Sequence, residues 1–172
     1  MSQQIDLERI TKPLFECLDE TFNGNHGIYL DKNTALLPTL DTVTAEEASQ
    51  AISPSNATIA AQVEHVRFYI DVLYDIITTK EVVEVDWRDI WTNVKSVTPD
   101  EWNESRQRLR ESYKRATDSL SSLNDWNGEY DVAGALSILT HTAYHLGGIR
   151  QALTALRSKT KAANFSENIM DK

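Results

Sequence analysis

Residues 131–156, DVAGALSILTHTAYHLGGIRQALTAL, are the stretch that decides the fold. Apolar residues recur there at intervals of mostly three and four, the spacing that places side chains on one face of an α-helix. They are Ala135, Leu136, Leu139, Ala143, Leu146, Ile149, Leu153 and Leu156. The pattern predicts a long amphipathic helix that begins near Asp131 and buries one face against other elements.

Three more segments have helical spacing, and each has a recognisable start or interruption. They are residues 3–23, 53–79 and 98–123. Pro13 must kink the first of these helices or mark a restart within it. The Ser53 and Pro54 pair is a helix-start signal for the second. Thr98 as cap and Glu101 as its capping-box partner give the third helix the clearest start in the sequence.

The connections contain little regular structure. Residues 25–40 are rich in Asn, Gly, Thr and Pro and are predicted to form a long loop. A short helix follows, opened by a capping box from Thr44 to Glu47. Between the second and third long helices we expect a connection with a helical turn around Trp87 and Trp91.

These elements predict an all-α protein. Four amphipathic helices of about 20 residues, without strand alternation, are typical of a four-helix bundle. A long loop and a short helix separate the first and second long helices. We expect one domain over residues 1–158 and a frayed tail without periodicity over residues 159–172.

Composition and charge narrow the classes of function. The 172 residues include 17 Lys and Arg against 26 Asp and Glu, and the net charge of −9 would repel a nucleic acid. Cys17 is the single cysteine, so no intrachain disulfide is possible, and no signal-peptide pattern precedes it. No stretch approaches the roughly 20 apolar residues of a membrane span. We therefore expect a cytoplasmic protein with neither a nucleic-acid nor a membrane partner.

The histidines carry the main chemical signal. His141 and His145 lie four residues apart in the predicted fourth helix, so both rings project from one face. His65 lies midway along the second helix, flanked by its apolar seam. Three imidazoles from two helices suit Zn, Ni, Fe or Cu, and three protein ligands leave positions open for water or substrate. The alternative is three ordinary helix histidines, each hydrogen-bonded to a neighbour. The fourth, His26, is predicted to be solvated in its loop.

The chain resembles the DinB-like superfamily of metalloenzymes, over about residues 40–156. The resemblance rests on the order of three segments: TIAAQVEHVRFYIDVL at 58–73, DWRDIWTNVKSVTPDEWNESRQRLRESYKRA at 86–116 and HTAYHLGGIRQAL at 141–153. It implies a four-helix bundle, often homodimeric, with a divalent metal held by one histidine of the second helix and two of the fourth. By position these ligands are His65, His141 and His145.

The resemblance also implies some chemistry, with one departure. Some relatives are thiol-dependent transferases or isomerases that use mycothiol, bacillithiol or glutathione. A divalent ion, Zn or Ni, would lower the pKa of such a thiol or of a water. The family pattern continues after the last histidine with a glutamine where this chain has Gly148, and the loss of such a partner typically changes activity about 10- to 100-fold. Cys17 lies on the apolar stripe of the first helix and is predicted to be a core residue, not the reacting thiol.

Few other side chains are catalytic candidates. Tyr69 follows His65 by four residues and shares its face, so its hydroxyl is a candidate to approach a metal-bound water, with core packing as the alternative. Tyr144 and Glu64 are each adjacent to a histidine and therefore rotated about 100° away from it. Tyr144 is the weaker candidate, and Glu64 is predicted to lie at the surface.

Two further groups are predicted to be structural. Trp87, Trp91 and Trp102 surround the connection between the second and third helices, where they either wall a pocket or pack the connection onto the bundle. Basic residues between 106 and 115 are interleaved with acidic ones, which is typical of a solvated helix face.

Two classes of function remain open from the sequence. The first is a metal-dependent transferase or hydrolase that acts on a small molecule, such as a low-molecular-weight thiol. The second is a non-catalytic dimeric bundle that serves as a binding or scaffold protein. In both cases the resemblance implies a second copy of the chain as partner.

Overall fold

The computed structural model describes residues 6–24 and 26–170. The helices in these ranges are α1 (Glu8–Phe22), α2 (Leu36–Asp41), α3 (Ala45–Ser49), α4 (Ile59–Thr79), α5 (Asp89–Asn93), α6 (Pro99–Ser121) and α7 (Asp131–Met170). No strand occurs within the same ranges, which confirms the all-α class. The predicted start of the first helix at residue 3 lies outside the described residues.

The four long helices share one apolar core. Helix α4 packs against both α6 and α7, and α1 packs against α7. Each contributes fully buried side chains, among them Leu18 from α1, Ile70 from α4, Leu109 from α6 and Ile149 from α7. Helix α1 runs through Pro13 without a restart. Because burial of the apolar faces holds α4 beside α7, residues on their facing sides come within contact distance.

Two glycines allow α4 and α7 to approach closely. A Cβ at Gly134 would lie 2.7 Å from the Ile77 side chain, and one at Gly148 would lie 3.0 Å from Gln62 Oε1. The first distance is too short for any side chain unless the Ile77 side chain or the helices shift. The two pairs run in opposite sequence order, so α4 and α7 are antiparallel.

Helix α4 begins later than predicted. The cap is Thr58, whose Oγ1 accepts a hydrogen bond from the backbone N–H of Ala61 at 3.1 Å. Ser53 and Pro54 lie in the preceding loop, where the Ser53 hydroxyl donates to Asn56 Oδ1. The predicted start was wrong because a Ser-Pro pair also suits a turn, whereas Thr58 directly precedes the buried Ile59.

The region predicted as a long loop contains helix α2. Its residues Leu36, Leu37 and Leu40 are buried, and Pro38 is tolerated because it lies in the first turn. Upstream, the buried carboxylate of Glu20 accepts hydrogen bonds from the backbone N–H groups of residues 28–30 at 2.8–3.2 Å. The loop is thereby attached to α1.

Helix α7 is longer than the sequence indicated. The apolar pattern stops at Leu156, but the helix continues through Met170, so residues 159–170 are helical where we predicted an irregular tail. Residues 157–162 are all exposed. An apolar pattern arises from burial of one helix face and not from helix formation itself. Residues 157–162 bury no face, so the sequence shows no pattern there.

Several basic residues of α6 form ion pairs with other helices. The sequence had predicted that this face of the helix is solvated, and that prediction was wrong for these residues. Arg106 and Arg110 both contact Asp41 Oδ1, at 3.1 and 2.6 Å, and so attach α6 to α2. Arg115 forms an ion pair with Asp71 of α4. The expected capping box of Thr98 and Glu101 opens α6, and the predicted helical turn near Trp91 is α5.

None of the helices in the described part of the chain combines the length and hydropathy that are needed to cross a bilayer.

Candidate metal centre

Three histidines meet where α4 packs against α7. The ring centroid of His65 lies 4.9 Å from those of His141 and His145, which are 4.6 Å from each other. One helical turn separates the two α7 residues, so both rings point toward α4. The structure thus brings together the three residues that the spacing and the resemblance selected.

The donor atoms fit a single ion. One ring nitrogen from each histidine lies within 4.8 Å of the other two. A tetrahedral ion with metal–nitrogen bonds of about 2.1 Å holds its ligands about 3.4 Å apart. The donors therefore lie at most about 1.4 Å farther apart than the ligands of a bound ion, and a neutral imidazole offers the lone pair that Zn²⁺ or Ni²⁺ requires.

Two ring nitrogens of this cluster are buried without a partner. His65 Nδ1 and His141 Nε2 make no hydrogen bond within the described residues. A buried polar atom without a partner costs about 1–3 kcal/mol, so such atoms are rare unless a ligand or water satisfies them. The alternative prediction, in which each histidine bonds to a neighbour, is wrong for these two atoms.

Burial keeps the three rings neutral. Desolvation lowers the pKa of His65, and it lowers the pKa of His141 and of His145 to about 4, with repulsion between the rings adding to the effect at the last two. At neutral pH the cluster therefore carries no charge of its own. Its nitrogens can bind a cation without first releasing protons.

Aromatic rings surround the cluster. Trp91 and Trp87 lie with their centroids 4.4 and 6.1 Å from His65. Tyr69 stacks on His141 at 3.7 Å with an interplanar angle of 12°. These contacts cover one side of the histidines and restrict the rotation of their rings, which favours a fixed ligand geometry.

The other candidate residues are distributed as follows. Tyr69 is half-buried against the cluster, and Tyr144 is 76% exposed with its ring edge 5.1 Å from His145. Trp102 lies elsewhere, where its indole donates to the Val43 carbonyl at 2.8 Å. Glu64 is not a free surface residue as predicted, because its side chain is mostly buried beside Arg67 and Arg108.

Two residues that the sequence analysis did not select as ligands, His26 and Cys17, lie outside the histidine cluster. His26 pairs with Asp19 at 2.7 Å. Cys17 is half-buried, less than the core position predicted, and burial raises the pKa of its thiol. Neither residue belongs to the group whose donor atoms converge on one point.

A cleft of about 650 Å³ opens beside the cluster. His145 is the histidine that lines it, together with Asn56, Gln62, Trp91, Tyr144 and Gln151. Sequence reasoning missed the three amide residues because they are not metal ligands. Only Gln62 had a clue in its spacing, since it precedes His65 by three residues and residues three apart are neighbours on a helix, whereas Gln151 follows His145 by six residues.

Comparison of the chain with protein-family models, curated proteins and solved structures gave no match.

Proposed function

We propose that the chain is a DinB-like four-helix-bundle metalloenzyme whose divalent ion is bound by His65, His141 and His145. The observation that supports this most directly is the pair of buried ring nitrogens without partners, at two of three histidines that converge from two helices. Since neither nitrogen bonds to the described chain, a metal ion is the simplest group that satisfies both.

The reaction proposed is transfer or hydrolysis on a small molecule. A divalent ion, Zn²⁺ or Ni²⁺, would supply an activated water or thiolate at neutral pH. The chain supplies the neutral donors, and Trp87 and Trp91 cover one side of them. The cleft at His145, which Trp91 also lines, gives a substrate access to the cluster.

Tyr69 is proposed as a positioning residue for the metal ligands. Its ring lies flat against His141, and its hydroxyl has no hydrogen-bond partner in the described part of the chain. The stacking fixes the plane of the imidazole, so loss of the ring would loosen one ligand. Tyr69→Phe tests whether the hydroxyl also contacts the reacting atoms. Such a contact requires that this substitution lowers kcat while the metal content is unchanged.

A non-catalytic dimeric binding protein is the second candidate. Leu136 and Tyr144 of α7 are 46% and 76% exposed, and large exposed apolar residues favour a partner surface. Gly148, at the place of the family glutamine, also favours a protein that retained the metal site without the activity.

The two candidates differ in what metal removal does. We expect protein purified without a metal-affinity tag to contain about one divalent ion per chain by elemental analysis, and His141→Ala to contain far less. Chelation should then abolish hydrolysis or thiol transfer, and one equivalent of Zn²⁺ or Ni²⁺ should restore it. If the wild type contains metal but catalyses no reaction that depends on it, the non-catalytic binding protein is supported. If the wild type contains no metal, the metal site is contradicted for both candidates.

A further inference from the structure

We propose that residues 82–96 form a movable strap over the histidine cluster, and that the strap opens to admit and release the metal ion. The strap comprises α5 and the irregular segments on both sides of it. The proposal rests on the proposed function, because it concerns how an ion reaches His65, His141 and His145. It goes beyond that function in assigning a gating role to residues that do not bind the ion.

The inner part of the histidine cluster is closed in this conformation. The cleft described above reaches His145. His65 Nδ1 and His141 Nε2, the two nitrogens that the proposed ion would satisfy, are buried from solvent. A hydrated divalent ion is larger than a water molecule, so it cannot reach these two atoms unless a neighbouring element moves. Binding of an ion at this site therefore requires an opening motion.

The strap covers the cluster through ring contacts. Trp91 lies against His65, with the ring centroids 4.4 Å apart, and its centroid is 6.1 Å from that of His145. Trp87 contacts both His65 and Phe68. Because Trp91 also lines the cleft beside His145, movement of its ring away from His65 would extend the cleft into the cluster.

The strap is the most weakly attached of the elements around the cluster. Within the described part of the chain, no hydrogen bond or ion pair joins residues 82–96 to a residue outside the strap. Ile90 is the one buried residue of the strap, whereas residues 82–84 and 86–89 are all exposed. Helices α4 and α7, by contrast, pack against each other and share the apolar core. Segments with few buried contacts open at the lowest free energy, so the strap is the element that moves.

Polar contacts anchor the chain at both ends of the strap. Before the strap, Lys80 Nζ lies 2.5 Å from Oδ1 of the buried Asp131, at the start of α7. After the strap, Ser49 Oγ of α3 accepts a hydrogen bond from the Val97 N–H at 2.9 Å. A segment that is fixed at its ends, and is held between them by side-chain packing alone, can lift from the cluster while the bundle stays folded.

The test weakens one anchor without a change at the cluster. In Ser49→Ala the Val97 N–H loses its acceptor, so the strap should open more often, both with and without the ion. Zn²⁺ should then bind and dissociate faster by the same factor. The dissociation constant is the ratio of the two rate constants and should stay nearly the same. Ser158→Ala on α7 is the matched control, because the Ser158 hydroxyl bonds within its own helix, to the Thr154 carbonyl.

Two measurements are needed for each variant. Transfer of Zn²⁺ from loaded protein to an excess of a chromophoric chelator gives the dissociation rate, and calorimetric titration gives the dissociation constant. We expect Ser49→Ala to release Zn²⁺ about fivefold faster than the wild type, the factor that one lost hydrogen bond typically supplies, with the dissociation constant changed by less than about twofold.

Substitutions at Trp91 test the cover itself. Trp91→Ala should release Zn²⁺ at least about tenfold faster than the wild type, because it removes the ring that lies against His65. Trp91→Phe keeps a smaller ring there and should give an intermediate rate. Circular dichroism checks that each variant is folded. If Ser49→Ala does not fold, Trp91→Phe is subjected to the same two measurements and the same criteria.

The outcomes separate this inference from the proposed function. The strap does not gate the site if the wild type binds Zn²⁺ and Ser49→Ala releases the ion at the wild-type rate. The same conclusion holds if the dissociation constant rises by the same factor as the rate, or if Ser158→Ala accelerates release equally. In each of these cases the metal site stands. Absence of Zn²⁺ binding in the wild type overturns both proposals.

Discussion

At the scale of single residues, the chemistry of the protein depends on desolvation. His141 and His145 are common side chains in common helix positions, and burial lowers their pKa to about 4, with repulsion from neighbouring rings of the cluster, His65 included, adding to the effect. A shift in this direction stabilises the neutral ring, which is also the metal-binding form. Burial therefore keeps the ring nitrogens in the form that binds a cation and makes their protonation unfavourable.

This environment predicts how metal-free protein responds to acid. The unfolded chain binds protons at these histidines near pH 6.5, whereas the folded chain resists until about pH 4. Because the unfolded state holds more protons in that window, the free energy of unfolding should fall as pH drops from 6.5 to 4, by at most about 2–3 kcal/mol for each of the two rings. Urea unfolding at several pH values in the presence of a chelator measures this free energy of unfolding.

The control for the acid response is a change at one ring. His145→Leu should flatten the pH dependence between pH 6.5 and 4, because it removes one of the two rings whose pKa burial lowers to about 4. Equal slopes in His145→Leu and the wild type would show that other groups cause the response.

Glu20 gives a second prediction at this scale. Its buried carboxylate accepts four hydrogen bonds from three backbone N–H groups of the following loop. In Glu20→Gln the side-chain NH₂ would face those donors, so stability should fall by about 2–4 kcal/mol. Chemical denaturation would measure the loss, with Glu129→Gln at an exposed site as the control. A loss below about 0.5 kcal/mol for Glu20→Gln would contradict this reading.

At the scale of elements, helix starts decide where functional side chains lie. The corrected start of α4 at Thr58 predicts that Thr58→Ala, which removes the acceptor for the Ala61 N–H, lowers stability by about 1–2 kcal/mol. Thr58→Ser keeps the hydroxyl and should cost less. Ser53→Ala, at the cap that the sequence had indicated, should change stability by less than about 0.5 kcal/mol. Thermal unfolding of the three variants compares the two caps, and a larger loss at Ser53 would restore the predicted start.

The sequence predicted elements where burial leaves a periodic pattern. The capping box at Thr98 and the apolar stripe of α7 identified two long helices, and the histidine spacing identified the candidate site. Helix α2 was missed because a six-residue helix is too short to show a period and contains Pro38. The end of α7 was missed because residues 157–162 are exposed, and the amides of the cleft were missed because they have no recognisable spacing as ligands.

At the scale of the whole molecule, the proposed assembly is a homodimer. The exposed apolar residues Ile10 of α1, Leu136 and Tyr144 of α7 offer surfaces that a second copy would cover. Light scattering should give about twice the 19.5 kDa chain mass at micromolar concentration, and Leu136→Glu should shift the mass toward the monomer. A mass of 19.5 kDa for the wild type across that range would contradict the dimer.

The central claim concerns one metal ion shared by two helices, and calorimetric titration with Zn²⁺ tests it most directly. We predict that wild type and His26→Ala bind one ion per chain with equal affinity. His65→Ala, His141→Ala and His145→Ala should each bind at least about tenfold more weakly, which corresponds to about 1.4 kcal/mol. Equal affinities in the wild type and the three variants, or loss of binding in His26→Ala alone, would contradict the account.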